Sequence, residues 1–143
     1  MIQLTRRYEF SASHRLHSAE LDERTNQEIY GKCNNPYGHG HNYVVEVTVK
    51  GPVDPHTGLA VELGALDSIV KQTVIEPFDH RNLNEEVPEF QTLVPTTENV
   101  VLVIEQRLRS AWPEAFPRLE KIRIAETERN IFQVNGNPEN NSR

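Results

Sequence analysis

Apolar and polar residues alternate over the first ten positions of the chain. The even positions, interrupted by Arg6, carry the apolar side chains: Ile2, Leu4, Tyr8 and Phe10. A period of two predicts a β-strand with one buried face. The same alternation returns over Tyr43–Lys50, where the odd positions are apolar. These two segments are therefore predicted to be strands that each bury one face.

Helical periodicity replaces this alternation in two later stretches. Apolar residues recur every three or four positions over Leu63–Val74, and a proline follows three residues later. A second helix is predicted between Pro95 and Pro113, with Thr96 or Thr97 as its N-cap. Both helices follow the second predicted strand and precede the remaining ones.

Two short apolar segments complete the predicted fold. Ile122 and Ile124 mark a third strand, and Ile131–Val134 a fourth, joined by a short polar turn. The chain is thus predicted to be α+β, with four strands and two helices inserted between strands two and three. We expect one domain over residues 1–135 and a disordered tail over residues 136–143, which lacks apolar anchors.

Composition narrows the class of protein. The 143 residues carry a formal net charge of −6 with no basic block, so a nucleic-acid surface is not indicated. The single cysteine excludes an intramolecular disulfide and fits a reducing compartment. The first residues lack the apolar core of a signal peptide, and no run of about 18 apolar residues occurs. We expect a soluble cytoplasmic domain.

Three histidines continue the apolar faces of the first two strands. The even face of strand one leads from Phe10 to His14, and the odd face of strand two leads back from Tyr43 to His41 and His39. If the two strands are antiparallel partners, the three imidazoles meet at one end of the sheet. Three imidazoles leave one position of a zinc tetrahedron open, as in catalytic sites. A His-x-His pair alone is weak support for a metal site, and the third histidine strengthens it.

The lone cysteine lies close to this predicted site. Cys33 could be an inert core thiol, but it occurs in a polar loop next to a predicted cation that would favour its thiolate form. We therefore favour a functional thiol. His17, followed by a polar loop, and His56, in a turn, are expected to be solvated and without a role.

Two further polar features require an explanation. Asp79 and His80 are adjacent in a loop after the first predicted helix, where they could relay a proton or form a cap and turn. Glu126 continues the inward face of strand three and needs hydrogen-bond donors there. A ligand with two N–H groups, an arginine or backbone amides could each supply them.

The chain resembles the 6-pyruvoyl-tetrahydropterin synthases from Arg7 to Asn130, with the order and spacing of the motifs maintained throughout. The stretches that carry the resemblance are Arg7–Leu16, Gly31–Tyr43, Asp79–Leu83, Thr96–Val100 and Glu126–Thr127. The resemblance implies the tunnelling fold, in which two helices are inserted into a four-stranded antiparallel sheet. It also implies trimers that stack into homohexamers with active sites at subunit junctions. The implied substrate is 7,8-dihydroneopterin triphosphate, which loses triphosphate and becomes 6-pyruvoyl-tetrahydropterin.

The resemblance also implies roles for individual residues. By matching position, a zinc ion would be held by His14, His39 and His41. Cys33 would be the thiol base, and Asp79 with His80 would complete a proton relay. Glu126 would anchor the pterin ring. This role is implied by the resemblance to the family, because the position of Glu126 alone does not decide between its possible donors.

Thr96 and Thr97 match a pair near the pterin pocket of the family and are carried over as substrate-binding residues. The pair also fits the N-cap predicted for the second helix, so the two interpretations overlap.

Two alternatives remain. The related 6-carboxy-tetrahydropterin synthase of queuosine biosynthesis shares these residues but releases acetaldehyde. Five residues separate Cys33 from His39, and that spacing resembles the pyruvoyl enzyme more closely. A non-catalytic metal- or pterin-binding module is the other alternative, although metal binding alone would not need Cys33, Asp79 or His80.

Overall fold

One β-sheet organises the chain, and the computed structural model describes residues 1–136. Its strands are β1 (Ile2–His14), β2 (His39–Gly51), β3 (Arg81–Asn82), β4 (Arg118–Ala125) and β5 (Ile131–Asn135). The spatial order is β3-β1-β2-β4-β5. Neighbouring strands are antiparallel except β3 and β1, which pair in parallel.

Helices fill the connections between the strands. They are α1 (Glu23–Tyr30), α2 (Leu63–Val70), α3 (Glu76–Phe78), α4 (Leu83–Glu86) and α5 (Thr97–Ala111). A π-helical stretch, Lys71–Ile75, joins α2 to α3, so helical backbone extends one residue past Pro77, the residue expected to end it. Short 3₁₀ turns cover Gly31–Asn34 and Pro88–Gln91.

The α+β class and the insertion of helices between the second and third long strands are confirmed, but the predicted number of four strands is wrong. The fifth strand, β3, pairs with β1 only through Ala12 and Ser13. Two residues are too few to show a period of two. Helix α1 was also missed, because its one buried residue is the polar Asn26 and it therefore has no apolar stripe.

The hydrophobic core lies between one face of the sheet and the helices α2 and α5. Alternate residues of β2 and β4 are buried there, as the period of two predicted. Helix α5 packs against β4, β5 and α2. Burial of one such aliphatic side chain contributes roughly 1.5–3 kcal/mol. The fully buried aliphatic residues include Val45, Val47, Val49, Leu66, Val70, Ile104, Leu108, Ile122 and Ile124.

The register of β1 against β2 brings the predicted site together. Phe10 lies opposite Tyr43, and His14 lies opposite His39. The stacked rings of Phe10 and Tyr43, 4.9 Å apart, close the core just below the histidines. The sheet therefore presents the three imidazoles at the end of its buried face.

The described chain ends beside β4. The amide of Gly136 donates to the carbonyl of Glu120 over 2.6 Å, so the predicted tail of residues 136–143 begins with a bonded residue. Residues 137–143 lie outside the described part of the chain. Within residues 1–136, every helix is too short or too polar to cross a membrane.

Candidate active site

Three histidine side chains converge at the end of the β1–β2 ladder. His14 and His39 are register partners, and His41 lies opposite Ala12. Their potential ligand atoms all lie within 4.8 Å of one another. His14 Nε2 is 3.0 Å from His39 Nε2, and the rings meet edge to face. The predicted convergence of the imidazoles is confirmed.

A backbone carbonyl fixes the orientation of the most buried of these rings. His14 is 1% exposed, and its Nδ1–H donates to the carbonyl oxygen of Pro95 over 2.8 Å. The hydroxyl of Tyr43 lies 3.3 Å from the same nitrogen. The lone pair of His14 is therefore on Nε2, which faces the other histidines. Metal-binding histidines are commonly oriented by a carbonyl in this way.

Burial keeps His14 and His39 in their neutral form. It lowers the pKa of His14 to about 4, and the neighbouring His39 and His41 lower it further. Burial and the nearby His41 likewise lower the pKa of His39. Metals bind neutral imidazole, so these two side chains are in the ligating form at neutral pH.

The third ring has a buried nitrogen that the protein does not satisfy. His41 Nε2 lies 3.2 Å from Glu126 Oε1, but this contact lacks hydrogen-bond geometry, and Nε2 has no hydrogen-bond partner within residues 1–136. An unsatisfied buried nitrogen costs about 1–3 kcal/mol. The donor set of three converging imidazoles therefore fits a divalent metal ion such as zinc.

Glu126 lies beside the histidine cluster, 3.2 Å from His41 Nε2. It follows the last residue of β4, and its backbone amide donates to the carbonyl of Asn130 over 3.1 Å. Its Oε2 accepts a hydrogen bond from the hydroxyl of Thr97. Its side chain is 18% exposed and lies beside His41. The inward direction expected for Glu126 is confirmed.

The adjacent threonines have different surroundings. Thr96 is the N-cap of α5, because its hydroxyl accepts from the amide of Asn99 over 3.3 Å. Thr97 is 2% exposed and donates to Glu126. The two threonines thus anchor one end of α5 and the carboxylate beside it.

The cysteine lies near the carboxylate but outside the histidine cluster. Cys33 occupies the 3₁₀ turn Gly31–Asn34 and is half-buried. Burial raises the pKa of its thiol, and the negative charge of Glu126 raises it further. The protein atoms alone therefore favour the thiol form. The thiolate expected from the sequence requires the positive charge of a cation at the histidines.

Asp79 and His80 form a pair at the edge of the sheet. Asp79 Oδ1 accepts from the amide of Ser11 over 2.9 Å, and Oδ2 lies 3.0 Å from His80 Nδ1. The Ser11 amide is the main reason why the pKa of Asp79 is lowered. The His80 side chain is 81% exposed. Over the described residues, no hydrogen bond or ion pair joins this pair to Cys33.

Sequence patterns missed several polar contacts around the site. His17, expected to be solvated, is half-buried, and its Nδ1 accepts from the amide group of Asn34 over 3.0 Å. His56 lies exposed in its turn, as expected. The sequence could not predict that the carbonyl of Pro95 is the hydrogen-bond acceptor for His14 either, because every residue type has a backbone carbonyl. The hydrogen bond between Asn34 and His17 joins two irregular segments of the chain. Such segments show no periodicity from which the contact could be predicted.

Comparison with known proteins decides the family. A family model described as 6-pyruvoyl tetrahydropterin synthase matches residues 3–137. The chain belongs to this family. The 6-pyruvoyl tetrahydrobiopterin synthase of Poecilia reticulata is 48% identical over 93% of this chain and 89% of its own length. The Homo sapiens protein of the same name is 45% identical, with 94% and 91% covered.

A solved structure supports the same assignment. The Caenorhabditis elegans 6-pyruvoyl tetrahydropterin synthase is 40% identical, with a TM-score of 0.87, and the match covers 95% of this chain and 96% of that one. The expected tunnelling fold of this family is thereby confirmed. The chain is a lyase of the tetrahydropterin synthase type, since its relatives are named as such enzymes. A more distant relative from Archaeoglobus fulgidus, named as a putative 6-carboxy-5,6,7,8-tetrahydropterin synthase, is 36% identical over 63% of this chain and 69% of its own.

Proposed function

We propose that the protein converts 7,8-dihydroneopterin triphosphate to 6-pyruvoyl-tetrahydropterin, with elimination of triphosphate, and depends on zinc held by His14, His39 and His41. The observation that carries this proposal is the convergence of three imidazole ligand atoms within 4.8 Å beside the carboxylate of Glu126. The position of the chain in the pyruvoyl synthase family supports the same reaction.

His14, His39 and His41 would hold the metal ion. When bound, zinc would supply a Lewis acid for the hydroxyl oxygens of the substrate side chain, where negative charge develops. His14 is kept in the correct orientation by Pro95. The low pKa of His14 keeps its Nε2 free of protons at neutral pH.

Cys33 and Glu126 act on different parts of the substrate. Cys33 is the base that takes a proton from a side-chain carbon, and a bound cation would favour its thiolate against the burial that raises its pKa. Glu126 accepts hydrogen bonds from the ring N–H and the amino group of the pterin, and the hydroxyl of Thr97, which donates to Oε2, holds the carboxylate in place. Fixing the ring relative to the metal can contribute several kcal/mol to catalysis.

We propose that Asp79 and His80 return the proton and that they do so across a subunit junction. The exposed ring of His80 at the edge of the sheet, with no hydrogen bond or ion pair from the Asp79–His80 pair to Cys33 over residues 1–136, supports a site completed by another copy in a homohexamer. β3 and β5 are the two outer strands of the sheet and are available for contacts between copies. We place this assembly in the cytoplasm, where its single cysteine would stay reduced.

Product analysis tests the proposed function. Purified protein loaded with zinc is incubated with 7,8-dihydroneopterin triphosphate, and the products are identified by mass spectrometry. We expect 6-pyruvoyl-tetrahydropterin and triphosphate. Acetaldehyde with a 6-carboxy product would instead assign the reaction of the distant relatives. No turnover by the zinc-loaded protein would indicate a metal- or pterin-binding module.

A further inference from the structure

The segment that carries the proposed thiol base is not held by a hydrophobic core. It runs from Leu16 to Pro36, between β1 and β2, and consists of a loop, α1 and the 3₁₀ turn of Cys33. The one buried residue of α1 is the polar Asn26, whereas Ile29 on the same helix is 60% exposed. Something other than apolar packing must therefore fix the position of Cys33 relative to the histidines.

Asn34, the residue after the thiol, docks this segment onto the end of β1. It is 7% exposed. Its amide group donates to the carbonyl of Leu16 over 2.8 Å and to His17 Nδ1 over 3.0 Å. Its own carbonyl accepts from Arg15 Nε over 3.0 Å. Asn34 thus uses both its side chain and its backbone to reach three consecutive residues.

The same three residues directly follow the buried metal ligand His14. The amide of Leu16 also donates to the carbonyl of Cys33 over 2.9 Å, which adds a direct link to the thiol residue. Arg15 is itself held by Asn84, which accepts from its amide over 2.8 Å and donates to its carbonyl over 2.9 Å. The surface on which Asn34 docks is therefore fixed to the sheet on one side and to α4 on the other.

We propose that Asn34 is a positioning residue, which places the Cys33 thiol against the histidine cluster, with His17 as the acceptor that orients its amide. The inference rests on the proposed function for its catalytic consequence. Asn34 does not touch the substrate and acts through Cys33. Loss of its side chain removes two of the hydrogen bonds that dock the thiol turn on the residues after β1, while the three histidines remain held by the β1–β2 ladder.

The expected effect follows from geometry. A single hydrogen bond contributes little to the stability of a whole domain, so loss of two side-chain bonds loosens the segment without unfolding the sheet. A displacement of about 1 Å at a reacting group can lower the rate roughly 100-fold. We therefore expect a fall in kcat with little change in KM, because Glu126 and the metal still bind the pterin.

The test compares Asn34→Ala with Asn35→Ala, a neighbouring exposed asparagine whose side chain accepts from the amide of Tyr37 in its own turn. Because Cys33 is the only cysteine, alkylation by iodoacetamide under native conditions reports on this one thiol. For Asn34→Ala we expect several-fold faster alkylation, a kcat lowered about 10- to 100-fold, and zinc content equal to that of the wild type. For Asn35→Ala we expect wild-type values.

A second pair of variants covers the case in which Asn34→Ala fails to fold. His17→Leu removes the acceptor for the Asn34 amide, whereas His17→Asn retains an oxygen near the position of Nδ1. We expect faster alkylation in His17→Leu and restoration towards the wild-type rate in His17→Asn. Equal alkylation rates and equal kcat in all folded variants would overturn the proposal, even if Asn34→Ala lowers the melting temperature. Alkylation and zinc content do not depend on turnover, so failure of the proposed reaction would be recognised separately.

Discussion

At the scale of single residues, His80 has the most unusual backbone conformation in the candidate site. Its φ of 59° is the only positive value at a non-glycine position in residues 1–136. Such conformations cost on the order of 1 kcal/mol or more and cluster at functional sites. The amide of His80 donates to the carbonyl of Ser11 over 2.6 Å, and its ring is paired with Asp79. These contacts hold an exposed imidazole in a defined place, as a proton relay requires.

We predict that His80→Asn folds normally and loses activity. Asparagine tolerates a left-handed backbone, so the melting temperature should change little. Loss of a general acid or base typically lowers kcat by 10²–10⁴, and steady-state kinetics would measure this. His56→Asn, at an exposed turn position, is the matched control and should retain wild-type kcat. Normal turnover by His80→Asn would remove His80 from the relay.

At the scale of elements, the turn that enters β2 depends on a glycine. Gly38 has a φ of 74°, and a Cβ at this position would lie 2.9 Å from the carbonyl oxygen of His14. Gly58 has nearly the same φ, 73°, but a Cβ there would meet nothing within 4 Å. Alanine at Gly58 would therefore add only the cost of the backbone conformation, whereas alanine at Gly38 would add that cost and a clash with the carbonyl of His14.

We predict that Gly38→Ala weakens both the fold and metal binding. Gly58→Ala should lower the free energy of unfolding by roughly 1–2 kcal/mol, the usual cost of a left-handed alanine. Gly38→Ala should lower it further and should reduce zinc affinity, because relief of the clash moves His39 away from His14. Urea unfolding and zinc titration would measure these changes. Equal effects of the two substitutions on both quantities would contradict this account of the turn.

A second element-scale feature ties α5 to the π-helical stretch. Arg107 donates to both carboxylate oxygens of Glu89 over 2.6 and 2.7 Å, and its guanidinium lies 5.1 Å from the centre of the Phe78 ring. It also donates to the carbonyl of Thr73 over 3.3 Å. The Arg107 guanidinium lowers the pKa of Glu89, and burial opposes this effect.

We predict that Glu89→Gln destabilises the protein in a pH-dependent way. The pKa of Glu89 is lowered in the folded state. Its contribution to the free energy of unfolding is therefore fully present above the ordinary glutamate pKa of about 4.3, and it is lost as the pH falls through the pKa of the folded state. At neutral pH we expect Glu89→Gln to lower the free energy of unfolding by about 1–2 kcal/mol, and we expect this difference from wild type to become smaller in acid. Urea unfolding at several pH values measures it. Glu114→Gln, at an exposed position, is the control, and a difference from wild type independent of pH would contradict the assignment.

Elements with a clear period were predictable, and those built from polar contacts were not. The alternation in β1 and β2 continues to His14 and His39, so the meeting of their imidazoles followed from pattern alone. The pair of residues in β3 is too short for a pattern, and α1 is anchored by Asn26. The role proposed for Asn34 depends on its hydrogen bonds to the carbonyl of Leu16 and the ring of His17, which no spacing along the chain reveals.

At the scale of the whole molecule, the proposed hexamer assigns Cys33 and the Asp79–His80 pair of one site to different copies. We predict that co-expressed Cys33→Ala and His80→Asn chains, each inactive alone, regain measurable activity as mixed oligomers, because some junctions then contain both intact partners. Activity of the mixed preparation, purified through two different tags, measures this. Continued inactivity of a verified mixed oligomer would place both partners of a site in one chain.

We expect turnover to require one zinc ion at His14, His39 and His41. Metal is removed from the protein with a chelator, and 6-pyruvoyl-tetrahydropterin formation is then followed during titration with Zn²⁺. We expect no activity without metal, a linear rise that saturates at one equivalent of zinc per chain, and no recovery for His39→Ala at that ratio. Full turnover by the metal-free wild type would contradict this expectation.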